Sequence, residues 1–122
     1  MHKFIKLAAE AAVSSNPNDP RDFIMGAVGI RADGVIVSAR NGSVQTSETI
    51  GHGWSFPPAH AEIRCSKKMD VGGIIYVVRI SKKNKELVLA KPCKDCEAFL
   101  RARGIARVCY SISDTEYETL DL

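Results

Sequence analysis

No run of apolar residues in the chain approaches the roughly 18 to 20 needed to cross a bilayer. The opening Met1-His2-Lys3-Phe4-Ile5-Lys6-Leu7 also lacks a secretory hydrophobic core followed by a cleavage site. These absences argue against a membrane protein and against export, and lead to the expectation of a cytoplasmic protein. Charge of one sign is scarce too: the net charge of +3 and the pI near 8.7 are spread along the chain instead of forming a block. That balance suits a phosphate-bearing substrate and is too weak to argue for a nucleic-acid groove. Cysteine is limited to four residues, and without a secreted context they do not imply disulfides. Internal repeats, linkers and low-complexity segments are missing as well.

What is present fits an ordinary soluble fold. At 122 residues, 45% hydrophobic and 25% charged, the chain can bury one core and is too short for two, so residues 1–122 are expected to form a single domain. Phe4, Ile5, Leu7, Ala8, Ala11 and Ala12 recur at helical spacing between His2 and Ser14, before Asn16-Pro17-Asn18-Asp19-Pro20 breaks the pattern. Phe23 to Arg31 and Val35 to Arg40 are β-rich runs joined across Asp33-Gly34, a hairpin dipeptide. A polar loop spans Asn41 to Pro58, and Ala59 to Asp70 then reads as a helix entered through Pro57-Pro58 and stopped by Gly72-Gly73.

Ile74 to Ile80 is a nearly continuous apolar run, as in a central strand covered on both faces. After a polar turn, the short extended Leu87-Val88-Leu89 leads to Pro92-Cys93-Lys94-Asp95-Cys96 at a helix start, and Glu97 to Arg103 continues that helix to its close at Gly104. Ile105 to Ser111 and Tyr117 to Leu120 are strands separated by a turn at Ser113-Asp114. The alternation predicts an α/β domain of two or three layers. Its mixed central sheet has about five strands, its helices number about three, and its last two strands form a hairpin.

Two short motifs carry the chemistry: His60-Ala61-Glu62, and Pro92-Cys93-Lys94-Asp95-Cys96. A structural zinc is normally closed by four protein ligands, whereas three nitrogen or sulfur ligands leave a position open for an acidified water. His60, Cys93 and Cys96 are three such ligands, and Glu62 is left over as a proton carrier. A CxxC at a helix start places thiols near unpaired N–H groups and the positive end of the helix dipole, which favours ionised sulfur. Pro92 enters that helix without wasting a donor. Residues two apart in a helix point roughly 200° from each other, so His60 and Glu62 can share a target only at a first turn. Two helix N-termini are therefore expected to converge over one ion.

Other readings of the same residues are weaker. A thioredoxin-like CxxC belongs in the first βα unit of its domain, and this one comes late. A closed structural zinc would need a fourth ligand. Cys109 lies within an apolar strand and Cys65 more than one turn beyond His60, so both read better as buried free thiols. His2 and His52 have no partner at ligand spacing and read as surface or loop residues.

An HxE followed by PCxxC is the signature of zinc nucleobase deaminases. On these motifs, and on the order of elements over most of its length, the chain resembles the cytidine and deoxycytidylate deaminase superfamily. That superfamily also holds tRNA adenosine deaminases and nucleic-acid-editing cytosine deaminases. One histidine and two cysteines look more like the deoxycytidylate and tRNA branches than the small cytidine deaminases, which typically use three cysteines. The resemblance implies a Zn2+ cofactor and attack of an activated water on the carbon bearing the exocyclic amine, with Glu62 carrying the proton to the ring nitrogen and then to departing ammonia.

By the same resemblance, Asn41 of Arg40-Asn41-Gly42 contacts sugar or phosphate, although Asn-Gly is equally a plain turn. Ala61 offers its backbone N–H to the base. Trp54 and Phe56 wall the base, or pack as loop aromatics. The loop from Asn41 to Pro58 holds no second Cys and His cluster, so an accessory zinc site and nucleotide-triphosphate control are not expected.

The leading expectation is hydrolytic deamination of cytosine in a free nucleoside or nucleotide, best represented by deoxycytidine monophosphate. The partners expected are that small pyrimidine and further copies of the chain, as relatives usually assemble. A polynucleotide deaminase is the first alternative, and Arg101, Arg103, Arg107, Lys91 and Lys94 are the only basic cluster that could serve it. A non-catalytic zinc-binding module is the second, and it leaves Glu62 without a purpose.

Overall fold

The computed structural model describes residues 2–13, 23–40 and 61–122. The described chain runs α1 (Lys3–Val13), β1 (Phe23–Ile30), β2 (Ile36–Arg40), α2 (Ala61–Ser66), β3 (Ile74–Ser81), β4 (Leu87–Val88), α3 (Lys94–Ala102), β5 (Arg107–Ser111) and β6 (Tyr117–Asp121). The strands form one six-stranded sheet in the order β2-β1-β3-β5-β6, with β4 pairing β3 beyond that path. It is mixed: β3 and β5 are parallel, whereas β1–β2, β1–β3, β3–β4 and β5–β6 are antiparallel.

Alternation along the strands sorts the core into two layers of contact. Ile75 and Val77 of β3, Ala27 of β1 and Val108 of β5 pack with Ala61, Ile63 and Cys65 of α2 and with Cys96, Phe99 and Leu100 of α3. Val78 and Ile80 of β3, Val28 of β1 and Cys109 of β5 pack on the other side with Ile5, Ala8 and Ala12 of α1. The architecture is thus three-layered, with α1 on one face and both motif-bearing helices on the other. β3 is apolar almost throughout because it is the strand covered from both sides.

Close approach of α1 to the sheet depends on Gly26, where a Cβ would run into the backbone oxygen of Ala8 and the backbone nitrogen of Ala12. The β1–β2 turn keeps Gly34 at φ 89°, with its N–H donating to Arg31 O at 2.9 Å. This left-handed position is one that glycine adopts without cost. The β5–β6 hairpin expected from Ser113-Asp114 is present, with Ser111 opposite Tyr117 and Arg107 opposite Asp121.

One boundary differs from expectation. The helix read as Ala59 to Asp70 ends at Ser66 in its described part. There the Ser66 hydroxyl donates back to Ile63 O at 2.6 Å, and Lys68 and Met69 donate to carbonyls three residues back, a pattern that tightens and ends a helix. Asp70 accepts the Ala32 N–H at 2.8 Å instead, tying this segment to the β1–β2 turn. The later helix begins at Lys94, directly after Cys93, as expected of a CxxC at a helix start. The Gly104 stop holds: Gly104 N–H donates to Arg101 O and Ile105 N–H to Leu100 O, with Gly104 at φ 83°, the paired bonds of a Schellman ending.

Candidate active site

The registers bring the carboxyl ends of β2, β3 and β5 and the amino end of β1 to one edge of the sheet, since Phe23 faces Ser81, Gly26 faces Arg40 and β5 runs parallel to β3. The first turns of α2 and α3 stand on the same face. Of the expected ligands and substrate contacts, His60, Asn41, Trp54 and Phe56 lie outside the described residues. Ala61, Glu62, Cys93 and Cys96 are described, and they come together.

Cys93 is the N-cap of α3, extended at φ −68° and ψ 169°. Its Sγ accepts the Cys96 N–H at 3.4 Å, and its carbonyl accepts the Glu97 N–H at 2.8 Å. A sulfur here does what Ser or Asp does at ordinary caps, satisfying one of the orphan N–H groups of the first turn. Cys93 is exposed and Cys96 buried; all four cysteines are free thiols.

Glu62 sits in the first turn of α2 and is only 1% exposed. Its side chain and the Cys93 side chain both hydrogen-bond the Cys96 thiol. Carboxyl and two sulfurs therefore occupy one spot between the two helix starts, beside fully buried Ala61.

The helix dipole does not by itself keep the Cys96 sulfur ionised. Burial drives the Cys96 thiol strongly upward, and the neighbouring Glu62 charge and Cys93 push it the same way. A thiol so placed keeps its proton until a cation displaces it. Cys65, in the core behind Glu62, is pushed up to about 12 mainly by burial, with Lys68 opposing and Glu62 adding to the rise.

Two sulfurs at one helix start beside a buried carboxyl suit a metal that favours thiolate ligands, as zinc does. Among the described residues no three His, Cys, Asp or Glu side chains complete a metal-holding group. His60, the third ligand expected from the sequence, lies outside them.

The segment that delivers Cys93 was not foreseen as part of the site. Ser111, fully buried at the end of β5, donates its hydroxyl to Val88 O at 2.8 Å and accepts the Ala90 N–H on its own carbonyl at 2.9 Å. Asp114 Oδ1 accepts the Leu87 N–H at 2.6 Å. A serine closing an otherwise apolar strand was the only hint in the sequence.

Three members of the basic cluster are also engaged. Arg101 pairs with Glu97 at 3.0 Å, Arg107 with Asp121 at 2.8 Å, and Arg103 donates to Ser66 O at 3.1 Å. Arg101 pairs within its own helix while Arg103 and Arg107 brace one element against another, so the three do not form an unopposed track. His2, read as an ordinary surface residue, instead caps α1 by accepting the Phe4 N–H on Nδ1 at 3.1 Å, with its ring stacked 5.1 Å from Tyr76.

Comparison with known proteins agrees with this geometry. The cytidine and deoxycytidylate deaminase zinc-binding region matches residues 1–112. A comparison with curated proteins gave no match. Among solved structures, the fold is similar to cytidine deaminase from Mycobacterium leprae, with 20% identity over 95% of this chain and 89% of that one and a TM-score of 0.56. It is also similar to cytidine deaminase from Mycobacterium tuberculosis, with 20% identity over 88% of this chain and 80% of that one and a TM-score of 0.50.

Proposed function

The chain belongs to the cytidine and deoxycytidylate deaminase family and is a zinc-dependent deaminase; on that premise we propose that its substrate is cytosine carried on a free nucleotide, deoxycytidine monophosphate first among them. His60, Cys93 and Cys96 hold the zinc. When bound, the metal supplies a Lewis acid that makes a water acidic near neutral pH.

Glu62 does the proton work. It would take a proton from the attacking water as oxygen bonds to the ring carbon bearing the amine and deliver it to the adjacent ring nitrogen, then carry the proton of the resulting hydroxyl to the amine, so that the carbonyl forms as the C–N bond breaks and ammonia leaves. Asn41 holds sugar or phosphate, the Ala61 N–H meets the base, and Trp54 and Phe56 flank it. The observation that carries this reading is the buried Glu62 carboxyl in contact with Cys96 at the meeting of α2 and α3. A module that only bound metal would gain nothing from it.

Two features support a mononucleotide over a polynucleotide: the mild net charge of +3, and the engagement of Arg101, Arg103 and Arg107 within the fold. Four free thiols agree with a reducing, cytoplasmic setting. Exposed Val35, Ile36 and Val71 agree with self-association.

The test is ammonia release by the zinc-loaded protein from cytidine, deoxycytidine and their monophosphates. Deoxycytidine monophosphate is expected to give the highest kcat/KM. Higher turnover of the unphosphorylated nucleosides would move the assignment to a nucleoside, and no release from any of the four would sink it.

A further inference from the structure

Cys93 stands at the end of a segment with little support of its own. β4 pairs with β3 through only Leu87 and Val88, and residues 89–93 then run to α3 outside any helix or strand. What restrains this strap comes from the far side of the site. Ser111 is the last residue of β5, a strand flanked by β3 and β6 and buried at Val108, Cys109 and Tyr110. From that rigid base it grips the strap twice, with its hydroxyl on Val88 O at 2.8 Å and its carbonyl on the Ala90 N–H at 2.9 Å. Buried Pro92 leaves little freedom between the grip and Cys93.

A buried serine hydroxyl is costly unless bonded, and here its bond lands on the strap. We infer that Ser111 is a positioning residue for the metal centre: it acts through Val88 and Ala90 to fix the Cys93 sulfur relative to Cys96 before metal arrives. The inference rests on the reading of Cys93 and Cys96 as ligands. Ligand placement by groups outside the ligand set is worth about 10- to 100-fold in metal affinity.

Ser111→Ala removes the bond to Val88 and leaves the backbone bond to Ala90 intact. Cobalt(II), titrated into metal-free protein against a competing chelator, reads the effect without turnover. Wild type should show a thiolate-to-cobalt charge-transfer band that Cys93→Ser and Cys96→Ser each weaken. Ser111→Ala should keep the band at saturation, bind about 10- to 100-fold more weakly, and shift the ligand-field bands as sulfur placement loosens. Ser111→Thr, which restores the hydroxyl, should recover affinity.

If Ser111→Ala does not fold, Asp114→Ala in the exposed β5–β6 turn releases Leu87 from its 2.6 Å bond and should weaken cobalt binding, and unchanged affinity there overturns the inference. Unchanged cobalt affinity in folded Ser111→Ala, even with a lowered metal-free melting temperature, makes the residue merely structural and overturns the inference. A wild-type titration without a cysteine-dependent band overturns the ligand reading instead, and with it this inference.

Discussion

Glu62 shows how much one residue's setting can specify. A carboxylate buried to this degree costs stability unless something in the site repays its desolvation. Its neighbours here are Cys96, whose thiol donates a hydrogen bond to it, and Cys65 one turn on. Glu62→Gln keeps the shape and removes the proton carrier. The expected result is a loss of about 10²- to 10⁴-fold in kcat with zinc content by metal analysis unchanged; loss of zinc along with activity would make Glu62 a support of the metal instead.

Cys65 provides a second residue-scale test. Burial pushes its pKa up to about 12, above the ordinary value of 9.0 for a thiol, so the folded state holds the proton more tightly. This contribution to stability is therefore complete below the unfolded value and is lost as pH rises through the window between the two. The loss should approach about 1.4 kcal/mol per pH unit there. Cys65→Ala, compared with wild type by urea melts from pH 8 to 11, should flatten the pH dependence across that window. Parallel curves would show that Cys65 does not keep its proton in the fold.

At the scale of elements, the two faces of the sheet divide the labour. α1 closes the face away from α2 and α3, and its approach rests on the missing side chain at Gly26. Gly26→Ala should lower stability by about 1 to 3 kcal/mol through overpacking, read as a lower urea midpoint at unchanged slope. The kcat of the folded fraction should stay near wild type, because the strain falls on the opposite face from Glu62. A fall in kcat larger than the loss of folded protein would show the two faces to be coupled.

Elements were legible in the sequence where one signal dominated. The Asp33-Gly34 turn, the continuous apolar run of β3 and the Gly104 stop each have a local cause, and each is present. The cysteine pair and Glu62 were legible because their spacing is dictated by chemistry. The end of α2 was not, since it is decided by Asp70 reaching Ala32 across 38 positions. The grip of Ser111 on Val88 spans 23 positions and has no local signature either. Long-range hydrogen bonds of this kind are tertiary events, invisible to periodicity.

For the whole molecule, the decisive feature is that the proposed metal centre joins two elements that otherwise share modest contact. α2 follows residues 41–60, and α3 follows the strap; each rests on the sheet through its own apolar side. A zinc held by His60 before α2 and by Cys93 and Cys96 of α3 would link them in the folded state alone. Binding free energy is then folding free energy, and at metal concentrations about 1,000 times the dissociation constant it adds about 4 kcal/mol. Chelator-treated protein should accordingly melt several degrees below the zinc-loaded form, and restored zinc should return the difference. Cys93→Ser and Cys96→Ser should melt near the chelated wild type and respond little to zinc, while Glu62→Gln should respond as wild type does, since the role proposed for Glu62 is to move protons and not to hold the metal. Equal melting of wild type with and without chelator would mean that no metal bridges α2 and α3, whatever the chain's family.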